Sequence, residues 1–204
     1  MTKPGAGNTI TTPVEIRPAA PELWAAVAEL FSAGGDPRWC WCQYWRKPGS
    51  NWSNTTADDN RRDLEALVAA EVAPGLVALR DGVAVGWVGL GPRDDFGRLA
   101  RSRTIPQLPG DGVWVINCFV VARTARRAGI AGALLAAAVD YARDHGARVI
   151  EGYPGDAGGG RIASASVYTG TIGMFLRAGF RVAGDTTSKP APGMFRRVVR
   201  LEVG

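Results

Sequence analysis

Apolar residues recur along the chain with two different periods. Leu23, Trp24, Val27, Leu30 and Phe31 fall on one helical face and predict a helix within residues 18–31, stopped by Gly34-Gly35. Leu64, Leu67, Val68 and Val72 form a second helical stripe. It begins near Thr55 or Thr56, carries Asp58 and Asp59 in its first turn, and ends at Pro74-Gly75. Leu134, Leu135, Ala138, Val139 and Ala142 predict a long helix over 129–145, and residues 164–177 can form a fourth despite Gly170 and Gly173. Strands are predicted at 14–17, 76–80, 83–90, 113–121, 148–153, 180–183 and 195–203. Asp81-Gly82 is a two-residue hairpin signal between the second and third. The run 113–121 is nearly continuous in apolar residues, which predicts a central strand buried on both faces. Residues 37–52 read as an aromatic loop or short helix, 92–112 as a basic irregular stretch and 154–162 as a glycine-rich loop. The alternation predicts one α/β (α+β) domain over 14–204 with a mixed sheet of about seven strands and four helices, preceded by a flexible tail at 1–13.

Composition narrows the function classes. The chain has 204 residues, 24 Lys and Arg against 19 Asp and Glu, and a net charge of +5. That surplus suits an anionic ligand, but no block of like charges marks a nucleic-acid tail, so no nucleic-acid partner is expected. No apolar run approaches a membrane span and no secretory signal is visible. Cys40, Cys42 and Cys118 are too few, and odd in number, for a disulfide framework, which points to the cytoplasm. Cys40 and Cys42 lack two further partners for a metal, so none is expected. The one histidine, His145, reads as the end of the long helix before Gly146.

The strongest chemical signal follows the central strand. Arg126, Arg127, Ala128, Gly129, Ile130, Ala131 and Gly132 put small residues where a strand turns into a helix. Small side chains allow close approach to the backbone, and a helix start offers free N–H groups. Such a turn, flanked by Arg123 and two more arginines, can cradle a pyrophosphate. The same residues could also be an ordinary tight turn with exposed arginines. The spacing matches neither a Walker loop nor a dinucleotide fingerprint.

Residues 120–135 resemble the acyl-CoA motif of the GNAT acetyltransferase superfamily, Arg/Gln-x-x-Gly-x-Gly/Ala after an apolar strand, met here by Arg126, Gly129 and Ala131. Phe175-Leu-Arg-Ala-Gly-Phe180 resembles that family's later helix-to-strand turn, and the element order matches over roughly 14–204. Segments 39–46, 98–103 and 149–154 resemble a bacterial branch of the family. The resemblance implies a GNAT fold, a splay between the fourth and fifth strands, acetyl-CoA as co-substrate without a metal, and an amine acceptor. A homodimer is a further expectation, since dimers are common in the family. By the same resemblance Phe119 and Val121 would hold the pantetheine arm, the 127–132 amides the pyrophosphate, and a backbone N–H at Cys118 or Phe119 would polarise the thioester carbonyl.

The acid and base are less legible. The family's usual glutamate on the central strand is absent, leaving Asn117 and Cys118 there. Glu151 is the first candidate base, against a structural role paired with an arginine, and Asp111 is the weaker one. The usual tyrosine acid is replaced by Phe175, so either Tyr168 or Tyr153 would supply the proton or the thiolate would leave with solvent help. Trp39, Trp41, Tyr44 and Trp45 form an aromatic cluster expected on the acceptor side, where it could clasp an amine or simply plug the core. The reading is an N-acetyltransferase acting on a small-molecule, amino-acid or protein amine. The alternative, motivated by the missing tyrosine, is a non-catalytic acyl-CoA-binding sensor.

Overall fold

In the computed structural model, which describes residues 13–158 and 168–204, Asp81 and Gly82 take φ values of 51° and 79°. Both central positions of a type I′ turn require that region. The turn pairs β2 (Gly75–Arg80) with β3 (Val83–Pro92) in antiparallel register, and β1 (Glu15–Pro18) adds to the outer edge of β2. The central strand is β4 (Val113–Val121), antiparallel to β3 and parallel to β5 (Val149–Gly152). The last long strand, β8 (Phe195–Glu202), pairs with β5, with the short β6 (Gly155–Asp156) and with β7 (Arg181–Asp185). The sheet has eight strands among the described residues, β6 being the one the sequence pattern did not separate.

Helices cover both faces. On one lies α6 (Ile130–Asp144), whose Ile130, Leu134, Leu135 and Ala138 pack on Leu76, Ala78, Val88 and Ile116. The short α7 (Ile172–Arg177) joins this side through Phe175. On the other face, α1 (Trp24–Ser32) and α4 (Ala57–Val68) bury Val27, Phe31, Leu64 and Val68 against Val77, Leu79 and Trp87. Alternate residues of β2 therefore feed opposite cores. Thr56 caps α4 in a capping box with Asp59. The helix stops at Val68, so Val72, expected inside, is 42% exposed.

Three single-turn helices lie outside the four predicted ones: α2 (Pro37–Cys40), α3 (Gly49–Trp52) and α5 (Gly97–Ala100). Residues 1–12 of the expected tail, residues 159–162 of the glycine-rich loop and residues 164–167 of the expected 164–177 helix lie outside the described residues.

One irregularity in β4 positions the site. Leu90 faces Ile116 and Gly89 faces Cys118, so Asn117 is an extra residue with no partner on β3. Such a bulge bends its strand. Pairing of β4 with β5 ends at Ile116 and Gly152, and residues 117–121 leave their former neighbour. This is the splay expected between the fourth and fifth strands.

Candidate active site

The splay exposes one edge of β4. Ala122 donates its amide to Val85 on β3 at 3.0 Å, while Phe119 donates to the Tyr168 carbonyl at 2.6 Å on the opposite side. Successive amides of a strand point to opposite edges. Phe119 and Val121 therefore lie on the splayed edge, and the Cys118 amide points into the sheet toward β3. Of the two backbone amides expected to polarise the carbonyl, at Cys118 or Phe119, this alternation sets the Phe119 amide toward the gap and the Cys118 amide away from it. In this structure that amide is engaged by Tyr168, so the gap is bridged at this height.

Beyond β4 the chain makes a one-turn 3-10 helix (Arg123–Ala125) and then enters α6. Arg127 and Gly129 take φ values of 64° and 77°, which turn the backbone sharply before the helix. Gly129 is the N-cap and gives no side-chain cap, so the first-turn amides of α6 are not taken up by a capping side chain. A Cβ at Gly129 or Gly132 would meet nothing within 4 Å, so the approach is open. Ile130 is buried and anchors the turn on the sheet, Ala131 is half-buried, and Ala128 is exposed. Arg123, Arg126 and Arg127 are exposed, and among the described residues none pairs with a carboxylate. Arg126 Nε lies 3.4 Å from the Val121 carbonyl, linking cradle and strand edge. The donor set and the open space fit a diphosphate.

A cavity of about 430 Å³ opens beside the splay, lined by Asp36, Tyr44, Trp45, Tyr168, Ser188, Lys189, Pro190 and Arg196. The structure thus divides the aromatic cluster. Tyr44 and Trp45 reach the cavity. Trp41 does not: it is 4% exposed and stacks on Phe31 in the core between α1 and the sheet. Trp39 is 42% exposed and packs edge-on against Trp52, outside the cavity lining. The cause is backbone geometry. Trp41 and Cys42 both adopt left-handed φ values, 42° and 59°, and the chain turns between the two pairs of aromatics.

Tyr168 lines this cavity, and its hydroxyl accepts a hydrogen bond from Arg196 Nη2 at 3.1 Å. Burial pushes its phenol up from the ordinary range, with the nearby Arg196 charge opposing. Glu151 sits elsewhere. Its buried carboxylate accepts from Arg200 Nε at 2.8 Å and from the Tyr153 hydroxyl at 2.6 Å, with Arg93 Nη1 at 3.5 Å. Neither Glu151 nor Tyr153 lines the cavity; the Trp45 ring stacks between them and it, 6.2 Å from the Tyr153 ring. Burial, then the Glu151 charge, holds the Tyr153 phenol well above its usual range. Glu151 thus has the arginine-paired placement set against its role as base. Asp111 is exposed in the turn before β4. Phe175 packs between Phe119 and Phe180, with no hydroxyl to offer.

The thiols are quiet. A hydrogen bond with Cys42, then burial, raises Cys118 far above an ordinary thiol, and burial pushes Cys40 up to about 12. Among the described residues no three His, Cys, Asp or Glu side chains are grouped to hold a metal. No helix there is long and apolar enough to cross a membrane. His145 ends α6, its ring stacked on Tyr141 and Nδ1 2.7 Å from the Tyr141 carbonyl.

Sequence reasoning missed Arg196, the most deeply buried charge of the cavity wall. The available signal was its parity on β8: it shares an alternating face with the buried Val198.

A family model described as the acetyltransferase (GNAT) family matches residues 24–155. No curated protein matches the chain. Among solved structures, a GCN5-related N-acetyltransferase from Kribbella flavida is 20% identical with a TM-score of 0.57, the match covering 93% of this chain and 97% of that one. An N-acetyltransferase from Staphylococcus aureus Mu50 is 16% identical at a TM-score of 0.57, covering 95% and 100%. A Salmonella typhimurium protein solved with its cofactor acetyl-CoA is 18% identical at 0.54, covering 94% of each chain.

Proposed function

Because the chain belongs to the acetyltransferase (GNAT) family, we propose that it moves an acetyl group from acetyl-CoA to a primary amine by direct attack in a ternary complex. The observation that carries this reading is the continuous surface formed by the splayed edge of β4 and the helix start without a side-chain cap at Gly129. Acetyl-CoA supplies the activated thioester. The amides of residues 127–132, with Arg123, Arg126 and Arg127, hold its diphosphate. Phe119 and Val121 align the arm along the strand edge once the Tyr168 carbonyl gives up the Phe119 amide. That amide then faces the acyl oxygen and stabilises the charge that develops on it.

The acceptor enters from the cavity lined by Tyr44, Trp45 and Tyr168. Holding both reactants in place supplies much of the rate, on the order of several kcal/mol. Tyr168, raised by burial, keeps its proton at neutral pH and in this reading gives it to the leaving thiolate. Glu151 serves the reaction through its surroundings, by fixing Arg200 and Tyr153 behind Trp45. All three cysteines are free thiols, in keeping with a cytoplasmic location.

The test is isotope-labelled acetyl-CoA with a panel of primary amines. N-acetyl product formed in step with free CoA thiol supports the reading. CoA binding without transfer to any amine would replace it with the acyl-CoA sensor, an alternative favoured by Phe175 in place of a hydroxyl-bearing residue.

A further inference from the structure

The cavity wall contains a buried positive charge without a negative partner. Arg196 is 4% exposed. Its Nη1 donates to the Tyr153 carbonyl at 3.0 Å and to Thr169 Oγ1 at 2.6 Å, and its Nη2 donates to the Tyr168 hydroxyl at 3.1 Å. The guanidinium also lies over the Trp45 and Tyr168 rings, at 5.2 and 5.3 Å. Every one of these partners is neutral. The segments outside the described residues, 1–12 and 159–167, contain no Asp or Glu at all. No carboxylate side chain of this chain pairs with Arg196, whereas its strand neighbours Arg197 and Arg200 both have acidic partners.

A guanidinium carries five N–H donors, and three are used here among the described residues. Burying a charge without a counter-charge is expensive, and the expense is relieved when an anion arrives in the pocket. Trp45, on the same wall, has its Nε1–H buried without a partner among the described residues. Lys189 adds a further positive charge and Asp36 the single negative one.

We propose that the acceptor amine also bears a carboxylate, held in this cavity by the fork of Arg196, so that the substrate class is an amino acid. This rests on the acetyltransferase reading above and narrows its acceptor. A planar carboxylate matches the planar donor fork. Asp36, which lines the same cavity, places an opposite charge for the substrate's ammonium, which gives its proton to solvent before the neutral amine attacks.

The experiment compares the twenty amino acids, their α-carboxamides and phosphoethanolamine. One arm measures kcat/KM for acetyl transfer. The other measures binding of each compound to the CoA-loaded protein by calorimetry. The preferred amino acid should exceed its own amide by about 100-fold in kcat/KM, as expected when one half of a buried charge pair is removed. Arg196→Gln and Arg196→Lys should both shrink that ratio toward unity while CoA affinity holds; the substrate comparison needs no variant, so it stands even if one fails to fold. Amides equalling acids, a preference for phosphoethanolamine, or an acid-to-amide ratio unchanged in folded Arg196 variants would overturn the proposal. Selective binding of acids without transfer to any of them would sink the transferase reading and leave the carboxylate site standing. Binding of neither acids nor amides overturns the site itself.

Discussion

The Tyr168 carbonyl accepts the Phe119 amide proton at 2.6 Å, and the same Tyr168 lines the cavity beside the splay. One residue therefore bridges the edge where an acyl carrier would lie and the chamber where an amine would enter. Engagement of the strand edge by the arm and release of Tyr168 are two descriptions of one exchange of hydrogen bonds. A backbone bond of this kind contributes about 1 kcal/mol net, small against the binding of a diphosphate-bearing ligand.

The first prediction tests that exchange. Adding CoA to isotope-labelled protein should shift the amide resonance of Phe119, and that of Val121 on the same edge. The Cys118 amide, directed at β3, should move much less. A spectrum in which Cys118 shifts and Phe119 stays put would restore the Cys118 amide to the role from which the strand geometry removes it.

Gly129 tests the cradle. Its φ of 77° is one that side-chain-bearing residues adopt at a cost of about 1–2 kcal/mol. The space above it is open, so substitution meets no protein atom and the fold should survive. Gly129→Ala should weaken CoA binding about tenfold or less, through the backbone alone. Gly129→Glu adds a negative charge facing the diphosphate and should weaken it by about 100-fold or more. Calorimetric titration with CoA, alongside circular dichroism of both variants, checks this; equal affinities for the two would place the diphosphate elsewhere.

How much of this was readable beforehand depended on how local each cause is. The apolar run of β4, broken only at Asn117, the Asp81-Gly82 turn and the Thr56 cap act over a few positions, and all stand where the pattern placed them. The strand-to-helix turn that carries the proposed cradle was legible for the same reason, since a strand, small residues and a helix are consecutive. The aromatic cluster was not, because its partition depends on left-handed φ values at Trp41 and Cys42, which neither residue type favours. Arg196 escaped because its neighbours come from distant segments: Tyr153, Thr169 and Trp45 meet it only after the sheet forms. Glu151 was ambiguous in sequence, and the register that sets it opposite Arg200 settles its pairing.

That pairing predicts a stability defect for Glu151→Gln. The carboxylate is 2% exposed and neutralises Arg200, with Arg93 close by. Removing one side of a buried pair costs about 3–5 kcal/mol. Urea unfolding should show a loss of that order, while the folded fraction keeps the shape of its pH–rate profile. A variant of full stability whose profile loses its acid limb would instead return Glu151 to the role of general base.

On the alkaline side the buried phenols add to the loss that the raised thiols Cys40 and Cys118 begin at lower pH. Burial and the neighbouring Glu151 charge raise Tyr153 well above its ordinary range, and burial raises Tyr168. An unfolded tyrosine titrates near about 10. Above that pH the unfolded chain has released protons that the folded chain still holds, so the unfolded state binds fewer protons and stability falls as pH rises. The contribution is complete below about pH 10 and is lost progressively above it, at up to about 1.4 kcal/mol per pH unit for each phenol. Denaturant midpoints measured between pH 8 and pH 11 should fall at the upper end. Tyr153→Phe removes one of the titrating groups, so its curve should start lower, for want of the hydrogen bond to Glu151, and then fall less steeply above about pH 10. Parallel curves for wild type and variant would mean that Tyr153 ionises in the folded protein as freely as in the unfolded chain, which its 2.6 Å bond to a buried carboxylate argues against.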